Sequence, residues 1–129
     1  MAAERPKRIL VVDDNLPLRV LLSRTLEEAG YVAIGAESGE AALEVARFDP
    51  PDLCLVDHHM PGMDGVQLIR ALRGSPDERL RHIPAIGLTG YAPAARDLLE
   101  AGALFALCKP CGDGPLLETV ASALRRAQA

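Results

Sequence analysis

Asp52-Leu53-Cys54-Leu55-Val56-Asp57 is a short apolar run closed by a carboxylate, and Ile9-Leu10-Val11-Val12-Asp13-Asp14 repeats the plan with two acids at its end. Neither run alternates with polar residues, so each reads as a strand covered on both faces, as in a parallel sheet. Parallel sheets carry their chemistry at the C-terminal edge of the strands. If these two strands are neighbours, Asp13, Asp14 and Asp57 crowd one crevice, and like charges so close call for a cation, a proton or both.

Outward from these runs, strand and helix patterns alternate. Leu18, Leu21, Leu22 and Leu26 recur at helical spacing, with Asn15 and Pro17 in front and Gly30 behind. Tyr31 to Ala36 reads as a second strand. Ser38 can cap a helix carrying Ala42, Leu43 and Ala46, which the pair Pro50-Pro51 stops. Asp64 can cap a third helix through Val66, Leu68, Ile69 and Leu72, and Gly74 to His82 reads as a polar connection to a strand over Ile83 to Leu88. Pro93 starts a fourth helix ended by Gly102. Leu104 to Cys108 gives the fifth strand, and Gly114-Pro115 open a last helix with Leu117, Val120, Ala121 and Leu124 on one face. Five βα units need right-handed crossovers, hence a doubly wound, mostly parallel five-stranded α/β sheet.

That arrangement lines up Asp13 and Asp14 after strand one, Asp57 after strand three, Thr89 after strand four and Lys109 after strand five. Three carboxylates suit a hard divalent cation such as Mg2+ (or Mn2+). Thr89 offers a hydroxyl and Lys109 a point cation for an anionic group carried on Asp57. Such a set fits phosphoryl transfer onto a carboxylate, since metal and lysine neutralise the transferring oxygens. Singly, an acidic pair is a solvated loop charge, and a Thr-Gly or Lys-Pro is a turn; their joint register gives them meaning. Lys7 and Lys109 are the lysines among 14 basic residues.

Composition bounds the alternatives. The 129 residues fit one domain, and a net charge of -4 with scattered basic residues argues against direct nucleic-acid binding. No apolar stretch approaches a membrane span, and Met1 to Arg8 lacks the apolar core of a signal peptide, so a soluble, cytoplasmic protein is expected. Cys108 and Cys111 form a C-x-x-C, but it ends a strand instead of opening a helix, so packed thiols are expected rather than a redox pair. His58 and His59 flank the acids. Neighbouring residues of extended chain point opposite ways, so they read as loop side chains rather than zinc ligands.

Four stretches in order, Ile9 to Asn15 (ILVVDDN), Leu55 to Gly65 (LVDHHMPGMDG), Ile86 to Ala92 (IGLTGYA) and Leu107 to Pro110 (LCKP), resemble the receiver domain of two-component response regulators over nearly the whole chain. The resemblance implies a flavodoxin-like (βα)5 fold with strand order 2-1-3-4-5 and one receiver domain over residues 1–129, its core about 8–126. It implies Asp57 as phosphoacceptor from a phosphohistidine on a sensor histidine kinase or histidine phosphotransfer protein. Asp14 and Asp57 would hold Mg2+ directly, Asp13 mainly through water, and the backbone carbonyl of His59 would complete the protein ligands. Thr89 would close on the phosphoryl group and Lys109 pair with it, aimed by a Lys109–Pro110 bond that is often cis in relatives. Met60, Pro61, Gly62 and Gly65 would shape the turn before the third helix.

The family pattern also has departures here. Many relatives carry an aromatic switch residue three positions before the lysine, where this chain has Ala106; Phe105 beside it should face the other side of its strand. Either the signal is then expected to leave through the loop after Thr89, by way of Tyr91, to an unknown downstream protein, or the output face is expected to change little. His59 and Tyr91 stand where relatives tune phosphoryl lifetime, and their bulk is expected to slow hydrolysis; a double alanine variant that dephosphorylates no faster would refute this. Nothing after Arg126 could hold an effector, so a stand-alone receiver or a piece of a longer hybrid kinase or regulator is expected. Two further classes share the motif: a receiver-like binding module that is never phosphorylated, and a metal-dependent phosphatase with His59 as general acid.

Overall fold

The computed structural model describes residues 5–128, so the first four residues of the Met1 to Arg8 segment, and Ala129, lie outside it. Five strands, β1 (Arg8–Val12), β2 (Val32–Ala36), β3 (Leu53–Asp57), β4 (Ala85–Thr89) and β5 (Phe105–Cys108), form one sheet of order β2-β1-β3-β4-β5. All four pairings are parallel. The doubly wound sheet and its strand order agree with the sequence reading.

Alternate residues of the two opening runs go to opposite layers. Leu10, Val12, Cys54 and Val56 pack with residues of α2 (Gly39–Phe48), α3 (Gly65–Arg73) and α5 (Ala94–Ala101). Ile9, Val11, Leu53 and Leu55 pack under α1 (Leu16–Glu28) and α6 (Asp113–Gln128). Both faces of β1 and β3 are thus removed from water, which is why their sequences show no polar alternation.

Helix starts follow their capping chemistry. The Asn15 side chain accepts from Leu18 N (3.0 Å), and Ser38 Oγ accepts from Ala41 N (3.0 Å). Asp64 and Gln67 form a reciprocal capping box, Gln67 N donating to Asp64 Oδ1 and Asp64 N to Gln67 Oε1. These caps set where α1 and α3 leave the sheet edge, directly beside Asp13, Asp14 and Asp57.

The structure corrects the sequence reading at the connection Gly74 to His82, which contains a sixth helix, α4 (Glu78–Arg81). Asp77 caps it through Arg79 N (2.9 Å), and Leu80 is buried in the core. One apolar residue in so short a turn leaves no periodicity to read. β4 begins two residues later than expected and ends on Thr89, and α6 starts one residue earlier, at Asp113. Ile83 N still donates back to Leu80 O (3.3 Å), closing the turn after α4, and Pro84 brings no amide to the ladder, although its carbonyl accepts from Cys54 N (2.9 Å).

Candidate functional site: an acidic crevice with one lysine

β1 and β3 are adjacent, with Val12 level with Val56, so the acids that follow them meet. One carboxylate oxygen from each of Asp13, Asp14 and Asp57 lies within 4.8 Å of the others. Asp13 and Asp57 are buried, at 1% and 5% exposure, while Asp14 faces solvent. The crevice therefore has two dry walls and one wet one.

β5 brings the cation. Lys109 N donates to Thr89 O (2.7 Å), extending the β4–β5 ladder by one bond, and the Lys109 ammonium donates to Asp57 Oδ1. It also stands 3.7 Å from Asp13 Oδ2. The Lys109–Pro110 peptide bond is cis. Burial pushes the Asp57 carboxyl above its ordinary pKa; the hydrogen bond from Lys109 pulls it back, and Asp13 and Asp14 push it up again.

Asp13 Oδ1 accepts from Asn15 N (2.9 Å), but Asp13 Oδ2 is buried with no hydrogen-bond partner among the described residues. Such an atom is costly unless something positive completes it. With three carboxylates converging on a partly solvated gap, the donor set fits a hard oxygen-seeking divalent ion that keeps several waters.

Thr89 is buried, yet its hydroxyl is turned into its own loop, accepting from Tyr91 N (3.0 Å) and donating to Tyr91 O (3.2 Å). His59 is exposed on the loop leading to α3, and His58 is half-buried beside it, its amide donating to Leu88 O (2.7 Å). The metal-candidate cluster contains neither histidine.

The loop carries one glycine whose role is steric. A Cβ on Gly65 would lie 2.5 Å from Asp57 O and 2.9 Å from His58 Cα, so the start of α3 packs onto the backbone at the end of β3. Met60 is buried, and Gly62 takes φ +72°, a left-handed turn conformation.

Two sequence motifs separate. Phe105 packs on the α1/α6 side, its ring 5.1 Å from the Arg126 guanidinium carbon, whereas Ala106 lies on the opposite side. Cys111 packs on the α1/α6 side as well, and strand alternation sends Cys108 with Ala106, so the C-x-x-C thiols lie on different faces. Cys54 is fully buried, its thiol pKa pushed up to about 12 by burial. Residue types alone gave no signal for Arg19, which donates from Nη1 to Asp13 O (2.7 Å).

A parallel sheet of this order, with acids, a threonine and a lysine along one edge, defines an α/β protein of the flavodoxin-like class. The family model for the response regulator receiver domain matches residues 9–121, and the chain belongs to that family. It is 36% identical over 121 residues to the sensor histidine kinase GacS of Pseudomonas protegens, a match covering 92% of this chain and 13% of the kinase. It is 32% identical over 121 residues to the polar-differentiation response regulator DivK of Brucella anthropi, covering 92% and 97%. The signal receiver domain of a signal transduction histidine kinase from Syntrophus aciditrophicus superposes with a TM-score of 0.84 at 37% identity, over 92% of this chain and 90% of that one. The chain spans 13% to 17% of the length of its GacS and RpfC relatives but nearly all of DivK. It is a phosphoacceptor receiver of two-component signalling, a signalling module by family. Among the described residues, no helix is long and apolar enough to cross a membrane.

Proposed function

We propose that Asp57 is the phosphoacceptor, taking a phosphoryl group from a phosphohistidine on a sensor histidine kinase or histidine phosphotransfer protein. The observation that carries this is the Lys109 ammonium donating to Asp57 Oδ1 beside two further carboxylates within 4.8 Å. In the transfer, a carboxylate oxygen of Asp57 forms the new bond to phosphorus while the phosphorus–nitrogen bond breaks, and the imidazole leaves with the electron pair. Lys109 stays as counter-charge to the phosphoryl oxygens. Thr89 exchanges its bonds to Tyr91 for one to the phosphoryl group, which moves the loop after β4.

Asp14, Asp57 and the backbone carbonyl of His59 would hold Mg2+ (or Mn2+), with Asp13 acting through water. Once bound, the ion supplies electrostatic stabilisation of the transferring oxygens. Asp13 Oδ2, buried with no hydrogen-bond partner among the described residues, supports this assignment.

The chain works as one receiver domain with its core over about residues 8–126, a switch whose chemistry is limited to its own phosphorylation and dephosphorylation. It would act in the cytoplasm and pass its signal to a downstream protein by contact, with no direct role for nucleic acid or membrane. Labelling by a small phosphodonor in Mg2+ should stop at one phosphoryl group per chain. Sustained turnover of aryl phosphates would instead make the crevice that of a phosphatase.

A further inference from the structure

Asp13 is pinned on three sides. Its amide donates to Ala36 O on β2 (3.1 Å), its carboxylate accepts from Asn15 N, and its carbonyl accepts from Arg19 Nη1 (2.7 Å). The next residue, Asp14, is exposed, and the described hydrogen bonds include none to its carboxylate. Because a peptide unit is planar, whatever fixes the Asp13 carbonyl also fixes the Asp14 amide and the direction in which Asp14 leaves the strand.

Arg19 reaches that carbonyl from the second turn of α1 by lying across β2 at Gly35. A Cβ on Gly35 would stand 3.3 Å from both Cδ and Nε of Arg19, closer than an ordinary contact, so a side chain there would push the stem aside by a few tenths of an ångström. Arg19 N in turn donates to Asn15 O (2.9 Å), which ties the same arginine to the capped start of α1. Among the described residues Arg19 makes no ion pair, and its recorded side-chain hydrogen bond goes to this one carbonyl.

We infer that Arg19 is a positioning residue for the acid cluster, holding the Asp13–Asp14 peptide so that Asp14 points at Asp57, and that Gly35 is glycine to give it passage. The inference rests on the metal assignment proposed above. Partners that orient a metal ligand typically matter by one to two orders of magnitude in affinity, although they never touch the ion.

The test is a Mg2+ titration by calorimetry, with 15N amide spectra recorded before and after metal, on wild type, Arg19→Met, Arg19→Lys and Gly35→Val. Arg19→Met should weaken Mg2+ binding about tenfold and shift the Asp14 amide nitrogen in the metal-free protein. Arg19→Lys, which keeps a donor on a flexible stem, should recover most of both. Gly35→Val should move the same amide and weaken binding in the same direction. Wild-type Mg2+ affinity in Arg19→Met, or an unmoved Asp14 amide, overturns the inference. Should Arg19→Met fail to fold, wild-type behaviour of Gly35→Val overturns it equally. A wild-type protein that binds no Mg2+ refutes the metal assignment, while the metal-free Asp14 amide still decides what Arg19 does.

Discussion

Lys109 serves two carboxylates at once: its ammonium donates to Asp57 Oδ1 and stands 3.7 Å from Asp13 Oδ2. One cation thus faces two buried acids, with a third, Asp14, at the rim. The balance is short of positive charge, and a divalent ion or a proton corrects it.

Removing that cation should be felt most without metal. Lys109→Met leaves two buried carboxylates facing each other, and it should destabilise the metal-free protein by about 1–3 kcal/mol at neutral pH. Urea melts with and without Mg2+ check this, the loss shrinking when Mg2+ is present. A variant as stable as wild type in chelator would show that water already solvates the crevice.

Acidity should stabilise the fold through Asp57. Burial, the largest cause, raises its folded pKa above the ordinary carboxylate value of 3.8. A group whose pKa is raised on folding contributes its full stability below the unfolded value and loses it as pH climbs through the folded one. In metal-free buffer, wild type should therefore fall behind Asp57→Asn as pH rises from about 4 towards 7, and Asp57→Asn should melt higher at neutral pH. Thermal melts across that range decide it; an Asp57→Asn variant that is the less stable at pH 7 contradicts the assigned environment.

Gly65 is a steric position. An added methyl would press on Asp57 O and His58 Cα, backbone atoms that cannot swing aside. Gly65→Ala should cost about 1–3 kcal/mol and disturb the Asp57 amide, whereas Gly114→Ala, with open space at that Cβ, should leave the Asp57 amide in place. Equal stability of Gly65→Ala and wild type would mean that α3 shifts freely.

The route of the signal should bypass β5. Thr89 Oγ1 makes two bonds to Tyr91 that must break when the hydroxyl turns to a phosphoryl group. Ala106 offers no ring to follow it: Leu98 of α5 fills the space over Gly87, its ladder neighbour, while Phe105 is held under Arg126 on the other side. Amide spectra with beryllofluoride and Mg2+ should move most at Thr89, Gly90 and Tyr91. A full response at Phe105 and Ala106 with silence at Tyr91 would defeat the loop route.

Strand runs were legible in the sequence because both faces of β1 and β3 are dry, so no polar residue interrupts Ile9 to Val12 or Leu53 to Val56. Asp13, Asp14, Asp57, Thr89 and Lys109 were legible because each ends a strand, and parallel pairing gathers strand ends on one edge. Helix α4 was hidden because Leu80 alone anchors it. Arg19 was hidden for another reason. Its partner is a main-chain carbonyl, which no residue type advertises, and its stem runs beside Gly35, nearby only after β2 pairs with β1. The orientation of the Thr89 hydroxyl likewise follows from loop geometry rather than from its place in the chain.

The most direct measurement is the intact mass of the protein after incubation with acetyl phosphate and Mg2+, wild type beside Asp57→Asn. One phosphoryl group should appear on wild type and none on Asp57→Asn, and chelating the metal should suppress it. An equal adduct on both proteins, or none on a folded wild type that binds Mg2+, would contradict the assignment of Asp57 as the acceptor.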